Sequence, residues 1–138
     1  MALWRFLDYR THDARPRNLI QLWYGQQDRA VQAEFDATVA ILAATEDWEK
    51  AKEFKLLRRR HLGLAELRFS VRVKKHGKEI TRGVRPVGIW RAEAREFIFL
   101  AGCEKEPHGA YIPANAFDVA LACKTKLEKG EGDICEHY

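Results

Sequence analysis

Hydrophobic and polar residues alternate along residues 64–73, directly after a short basic run. Read with a period of two, one face of this segment is apolar and the other is polar. The apolar face comprises Ala65, Leu67, Phe69, Val71 and Val73, and the opposite face comprises Leu64, Glu66, Arg68, Ser70 and Arg72. The pattern predicts a strand with one buried and one cationic face. Guanidinium groups on a rigid sheet form an ordered surface for phosphate.

The chain before this strand predicts one further strand and two helices. Residues 3–9 are aromatic-rich and predict a strand. Asn18 is a capping residue and predicts a short helix through residue 24, which Gly25 ends. A longer amphipathic helix is expected over residues 27–44, and a helical turn over residues 48–54.

The chain after residue 73 predicts a β-meander and a last helix. Residues 76–78 supply a hairpin turn, and residues 79–91 return as a strand that its internal glycines and proline bend or bulge. Residues 96–101 are continuously apolar, which is typical of a central strand covered on both faces. Residues 113–129 have helical spacing, and Gly130 ends that helix.

These elements predict a single α+β domain over residues 1–138, because neither a linker nor an internal repeat interrupts them. We expect a mainly antiparallel four-stranded sheet. An N-terminal helical hairpin and a C-terminal helix are expected to pack on one side of it.

Composition and charge narrow the class of protein. The chain has 46% hydrophobic and 32% charged residues, which favours a folded protein over a disordered one. Its net charge of +4 permits an anionic partner without requiring one. The start of the chain does not resemble a signal peptide, and no apolar run approaches the roughly 18 residues that a membrane span needs. We therefore expect a cytoplasmic protein that does not bind a membrane.

Motifs for metal or nucleotide chemistry are missing from the sequence. The three cysteines contain no CxxC pair, which argues against both a disulfide scaffold and a zinc ribbon. HExxH, GxSxG and glycine-rich phosphate-loop motifs do not occur, and the five histidines lack metal-ligand spacing. We expect neither a metal site nor a cofactor.

Several segments, in order, resemble one known family. These are Trp4-Arg5-Phe6, residues 18–23, residues 62–69 with their glycine followed by Glu-Leu-Arg, and an apolar strand ending at Gly102. A loop with a lysine and a helix beginning near Pro113 follow. Together they resemble the RelE/ParE superfamily of toxins, and within it the HigB-like, phage-derived branch. The resemblance covers nearly the whole chain.

The resemblance implies a RelE-like fold and a toxin of a type II toxin–antitoxin system. Members commonly cleave messenger RNA at the ribosome and are neutralised by a small antitoxin, here expected to be a helix-turn-helix protein that forms a hetero-oligomer with the toxin. Other members poison DNA gyrase. The alternative is therefore a non-catalytic protein of this fold, either gyrase-directed or a degenerate phage protein, that acts by protein binding.

Metal-free RNA cleavage needs a base, an acid and cations that stabilise the phosphorane. It would yield a 2′,3′-cyclic phosphate and a 5′-hydroxyl. The resemblance places Arg68 and Arg85 on the phosphate, while Lys105, Tyr111 and His61 are candidates for proton transfer. Three of these have a purely structural alternative: Arg68 as a solvated strand residue paired with Glu66 or a helix, Tyr111 as a packing residue and His61 as an exposed loop residue.

Three further features modify this prediction. Lys105 lies between Glu104 and Glu106, where family members often carry two basic residues, and this favours the non-catalytic alternative. The basic residues Arg58, Arg59, Arg60 and Arg72 are candidates for RNA binding, and the run 58–60 is equally a candidate docking site for an acidic antitoxin helix. Residues 136–138 resemble terminal acid/base residues of some members, or form a frayed tail.

Overall fold

The computed structural model describes residues 2–58, 61 and 63–137. Within them lie three α-helices, one 3₁₀ helix and eight strands. The helices are α1 (Leu19–Gly25), α2 (Arg29–Ala43) and α3 (Ala116–Glu128), with the 3₁₀ helix at Trp48–Lys50. The strands are β1 (Arg5–Thr11), β2 (Phe54–Leu56), β3 (Ala65–Leu67), β4 (Phe69–Lys75), β5 (Lys78–Arg91), β6 (Glu96–Lys105), β7 (Tyr111–Ile112) and β8 (Gly132–Glu136).

Side-chain caps fix the starts of the first two helices. The Asn18 side chain accepts a hydrogen bond from the backbone N–H of Gln21 at 3.0 Å, and Asp28 accepts one from Val31 at 3.1 Å. Each cap satisfies a backbone donor that has no partner inside the helix. The cap predicted at Asn18 is confirmed, and α2 begins slightly later than expected because Asp28 is its cap.

The fold belongs to the α+β class, as expected, but its sheet has more than the four strands expected. Its main order is β2-β3-β5-β6-β1-β8, while β4 pairs with β5 and β7 pairs with β6. Strand β1 runs parallel to β6, and the other pairs are antiparallel. The additional strands β2, β7 and β8 are short edge segments without an alternating pattern, so periodicity alone does not find them.

The structure divides the predicted strand 64–73 into β3 and β4, next to a proline of the neighbouring strand β5. Glu66 lies opposite Val87 and Phe69 lies opposite Val84, so β3 and β4 keep one register against β5. The interruption is at Arg68, and this register places its neighbour Leu67 opposite Pro86, which has no N–H to donate to the ladder. The backbone N–H of Arg68 donates to the carbonyl of Glu53 at 2.7 Å, which continues the pairing of β3 with β2. The bulge predicted in β5 is confirmed at Val87/Gly88.

Helices cover both faces of the sheet, so the expectation that they pack on one side is wrong. In β6, Phe97 and Phe99 join the cluster that contains α1 and α2, whereas Ile98 and Leu100 join the cluster that contains Phe117 of α3. A continuously apolar strand needs cover on both faces. The prediction of a buried central strand is therefore confirmed.

The two predicted faces of residues 64–73 differ in how well they match the structure. The apolar face packs toward α1 and α2 from residue 65 to residue 71, whereas Val73 is only half-buried and lies outside that cluster. On the other face, Arg68, Ser70 and Arg72 are exposed, but Leu64 and Glu66 are buried. Leu64 belongs to the cluster beneath α3, so this face is covered at β3 and open at β4.

Residues 132–137 are ordered against β1, so the frayed-tail interpretation is wrong for them. His137 Nδ1 lies 2.7 Å from Asp8 Oδ1, and Asn18 Nδ2 donates to Asp8 Oδ2 at 2.8 Å. The His137 ring also lies 4.8 Å from that of Phe99. Residue 138 lies outside the described residues. Among the described residues, no helix is both long and apolar enough to cross a membrane.

Replacing His137 by alanine is expected to destabilise the fold by roughly 2–4 kcal/mol, because the buried Asp8 carboxylate loses one of its close polar partners. Urea denaturation measures the free energy of unfolding. Exposed His12 provides the control variant, His12→Ala, which is expected to remain near wild type. Equal stabilities of the two variants would contradict this account of Asp8.

Candidate functional site

Glu66 is a buried carboxyl surrounded by cations. It is 2% exposed on β3, and its Oε1 lies 3.9 Å from Nε of Arg85. Burial raises the pKa of Glu66, although the charges of Arg85, Arg68, Lys105 and Lys55 lower it. Because Glu66 also acts on Tyr111, four of the five predicted catalytic residues lie within Coulombic range of this one carboxyl.

The Arg85 side chain is fixed where the strand is interrupted. Its Nη1 donates to the carbonyl of Val84 at 2.9 Å and to that of Phe69 at 3.2 Å. The second bond joins β5 to the first residue of β4. Its Nε and Glu66 Oε2 are both buried without a hydrogen-bond partner. Arg85 is therefore held in place, but its ion pair with Glu66 leaves hydrogen-bonding capacity unused.

Arg68 projects from the interruption between β3 and β4. Its side chain is exposed and, among the described residues, makes neither a hydrogen bond nor an ion pair within 4.0 Å. Arg68 and Arg85 line one surface cavity of about 570 Å³ that α2 also borders. The pairing of Arg68 with Glu66 is thus Coulombic rather than a direct contact, and the guanidinium remains available to an anion.

Lys105 and Tyr111 lie side by side on β6 and β7. Lys105 Nζ stands 5.4 Å from the centroid of the Tyr111 ring, a cation–π contact. The Tyr111 ring packs edge-on against Phe117 at 4.5 Å, so it is a packing residue as well as a site candidate. Burial, followed by the charge of Glu66, raises the pKa of Tyr111. Its phenol therefore keeps its proton at neutral pH.

The two acidic neighbours of Lys105 are engaged by other side chains. Glu104 forms an ion pair with Arg82, and Glu106 Oε2 lies 2.9 Å from Nε2 of His108. Successive side chains of a strand also point to opposite faces. Glu104 and Glu106 therefore neutralise less of the positive charge at Lys105 than their adjacency in the sequence suggests.

His61 is half-buried, so its interpretation as an exposed loop histidine is wrong. Its ring stacks on Phe117 with centroids 4.4 Å apart, and its Nδ1 is buried without a hydrogen-bond partner. His61 and Tyr111 line a cavity of about 410 Å³ together with Asp118. Phe117 thus links His61 and Tyr111, two of the three candidates for proton transfer, but their cavity is separate from that of Arg68 and Arg85.

The predicted RNA-binding residues are not gathered at this site. Arg72 pairs with Glu79 at 3.7 Å on the β4–β5 hairpin, and Arg58 lines a separate cavity of about 470 Å³. Arg59 and Arg60 lie outside the described residues. His137 belongs to the polar cluster under α1 rather than to the neighbourhood of Glu66.

Sequence reasoning missed the central place of Glu66 and the role of Cys103. Cys103 Sγ donates to the carbonyl of Arg85 at 3.1 Å. The available signal was a lone acidic residue between Leu64-Ala65 and Leu67 in a strand pattern, which indicates a buried charge that needs a partner. Within the described part of the chain, no group of three His, Cys, Asp or Glu residues is arranged to hold a metal ion.

Cys103 is expected to resist alkylation in the native protein. Burial, followed by the charge of Glu66, raises its pKa to about 12, so roughly one thiol in 10⁴ is ionised at pH 8. Iodoacetamide labelling followed by peptide mass spectrometry measures the rate at each cysteine. Partly exposed Cys135 should label faster, and unfolding should equalise the two. Equal rates in the native state would contradict the burial of Cys103.

Comparison with known proteins leaves this site as the main source of functional information. A scan against protein-family models finds no match. Searches of curated proteins and of solved structures find no significant match either.

Proposed function

We propose that this chain is the toxin of a type II toxin–antitoxin system and cleaves messenger RNA on the ribosome without a metal ion. The observation that carries the proposal is the placement of Arg68, Arg85, Lys105 and Tyr111 around Glu66. The ordered resemblance to RelE/ParE toxins supports the same assignment. Its partners would be the ribosome, the transcript and a small helix-turn-helix antitoxin.

In the proposed reaction the ribose 2′-oxygen attacks the adjacent phosphorus and the bond to the 5′-oxygen breaks. His61 accepts the proton of the 2′-hydroxyl, and the Tyr111 phenol donates one to the leaving 5′-oxygen. Lys105, over the Tyr111 ring, stabilises the phenolate as it forms. Arg68 and Arg85 stabilise the charge of the phosphorane. The products are a 2′,3′-cyclic phosphate and a 5′-hydroxyl.

The contrast between Arg68 and Arg91 tests the phosphate site. Arg68→Ala should slow cleavage roughly a hundredfold, because one of the two cations that stabilise the phosphorane is lost from the transition state. Arg91 is the last residue of β5, away from Arg85 in the middle of that strand, and it pairs with Glu96 at 3.9 Å. Arg91→Ala should therefore cleave at close to the wild-type rate. Cleavage of a defined transcript in a reconstituted translation reaction measures both rates.

Two results would overturn the proposal. The first is wild-type protein that neither arrests growth on induction nor cuts the transcript. The second is an equal loss of activity in Arg68→Ala and Arg91→Ala, since a general effect of surface charge would then explain both.

Tyr111→Phe tests the assignment of the acid. This variant keeps the ring that packs on Phe117 but removes the hydroxyl, so cleavage should slow roughly a hundredfold without a change in melting temperature. The rate is measured on the same transcript, and melting by circular dichroism. Full activity in Tyr111→Phe would exclude the phenol as the proton donor.

One observation favours the non-catalytic alternative of a gyrase-directed or degenerate phage protein. Arg68 and Arg85 open into one cavity, whereas His61 and Tyr111 open into another. A protein that acts only by binding does not need these groups on one substrate. Inhibition of DNA supercoiling by gyrase, with the transcript left intact, would establish a gyrase target; an intact transcript and unaffected gyrase would leave the degenerate form.

A further inference from the structure

The ion pair between Glu66 and Arg85 is buried but incompletely bonded. Nε and Oε1 are 3.9 Å apart, which is too long for a hydrogen bond. Arg85 Nε and Glu66 Oε2 each lack a hydrogen-bond partner. A buried polar atom without a hydrogen bond destabilises the fold. A ligand that offers Arg85 a better hydrogen-bond acceptor can therefore compete with Glu66 for its guanidinium.

Several elements place charged or titratable groups toward Glu66. The cations are Lys55 on β2, Arg68 after β3, Arg85 on β5 and Lys105 on β6. The phenol of Tyr111 on β7 and the thiol of Cys103 on β6 also interact with it. Since Glu66 is 2% exposed, solvent screens these interactions weakly, and a change in charge at any of them alters its protonation.

We propose that Glu66 is a positioning residue that takes up one proton when a phosphodiester binds beside Arg68 and Arg85. In the free protein, the carboxylate draws the Arg85 guanidinium toward itself. A bound phosphate repels that carboxylate and competes with it for the same cations. Protonation turns the carboxylate into a neutral carboxyl and leaves the full charge of Arg85 to the phosphate. The proton comes from solvent, and no other bond changes.

The position of Glu66 makes this exchange feasible. Its Oε2 accepts no hydrogen bond, so that oxygen is free to carry the proton. Burial already raises the pKa of Glu66 in the free protein, and an added phosphate charge moves that pKa in the same direction. Between the pKa of the free protein and the higher pKa of the complex, affinity should rise as the pH falls, by up to about tenfold per pH unit.

This inference rests on the phosphate site of the proposed function, and proton uptake tests it directly. The probe is a short 2′-O-methyl RNA, which cannot be cleaved because the attacking hydroxyl is blocked. Calorimetric titrations in PIPES and in imidazole at pH 7, whose ionisation enthalpies differ, report the protons taken up per RNA bound. The titrations are repeated across a range of pH, and we expect wild-type uptake to pass through a maximum of at most one proton between the pKa of Glu66 in the free protein and its higher pKa in the complex.

Glu66→Gln is the decisive variant, because glutamine keeps the shape of the side chain but cannot take up the proton. It should bind the RNA at least as tightly as the wild type, with almost no proton uptake and a flat pH profile. Glu79→Gln is the matched control: Glu79 pairs with Arg72 on the same sheet but is solvent-exposed, so uptake should persist. Uptake that survives in Glu66→Gln would overturn the inference and point to another group, such as His61.

A second readout covers the case in which Glu66→Gln does not fold. Infrared difference spectra of wild-type protein with and without the RNA should show the carbonyl stretch of a newly protonated carboxyl, and its absence would overturn the inference. Failure of the proposed function is distinguishable. If wild type does not bind the RNA, or binds it no better than Arg68→Ala, the phosphate site fails and the inference fails with it. Binding that needs Arg68 but takes up no proton rejects the role of Glu66 alone.

Discussion

Strand β6 buries apolar side chains on both faces, and the positions of the helices and of the site follow from that requirement. Its aromatic residues pack under α1 and α2, and its aliphatic residues pack under α3. Near its end, Gly102 admits the Trp23 ring of α1, which a Cβ at this position would approach to 2.0 Å. Beyond Gly102 the strand becomes polar and delivers Cys103 and Lys105 to the neighbourhood of Glu66. Burial of one strand thus connects the core to the candidate chemistry.

A missing backbone donor has the largest local effect on the site. Pro86 cannot complete the ladder, so β3 and β4 separate at Arg68. The Arg85 guanidinium donates to the carbonyl of Phe69 and stabilises the interruption. As a result, Arg85 is held within the sheet, whereas Arg68 points to solvent. Pro86, which weakens the strand pairing, therefore leaves Arg85 fixed by hydrogen bonds and Arg68 exposed and able to bind an anion.

The charge of the site depends more on which charged side chains form ion pairs than on the net charge of the chain. The net charge of +4 is modest, and Lys105 has an acidic residue on each side. Glu104 is paired with Arg82 and Glu106 lies against His108, so Glu66 is the buried carboxyl among the cations of the site. Protonation of Glu66 would leave more of the Arg85 charge unpaired and able to bind a phosphate. The burial of Glu66 on β3 would in this way affect the affinity for the ligand.

The sequence by itself determined the α+β class, the cap at Asn18, the buried apolar face of residues 65–71 and the central position of β6. Periodicity and capping are local properties, and they identify which side of an element is apolar. Only the tertiary structure decided that β1 runs parallel to β6, that helices cover both faces, and that Glu66 and the side chain of His137 are buried. His137 meets Asp8 across 129 residues of chain. Local patterns carry no information about which distant element covers a given face, because that choice depends on how all the elements pack together.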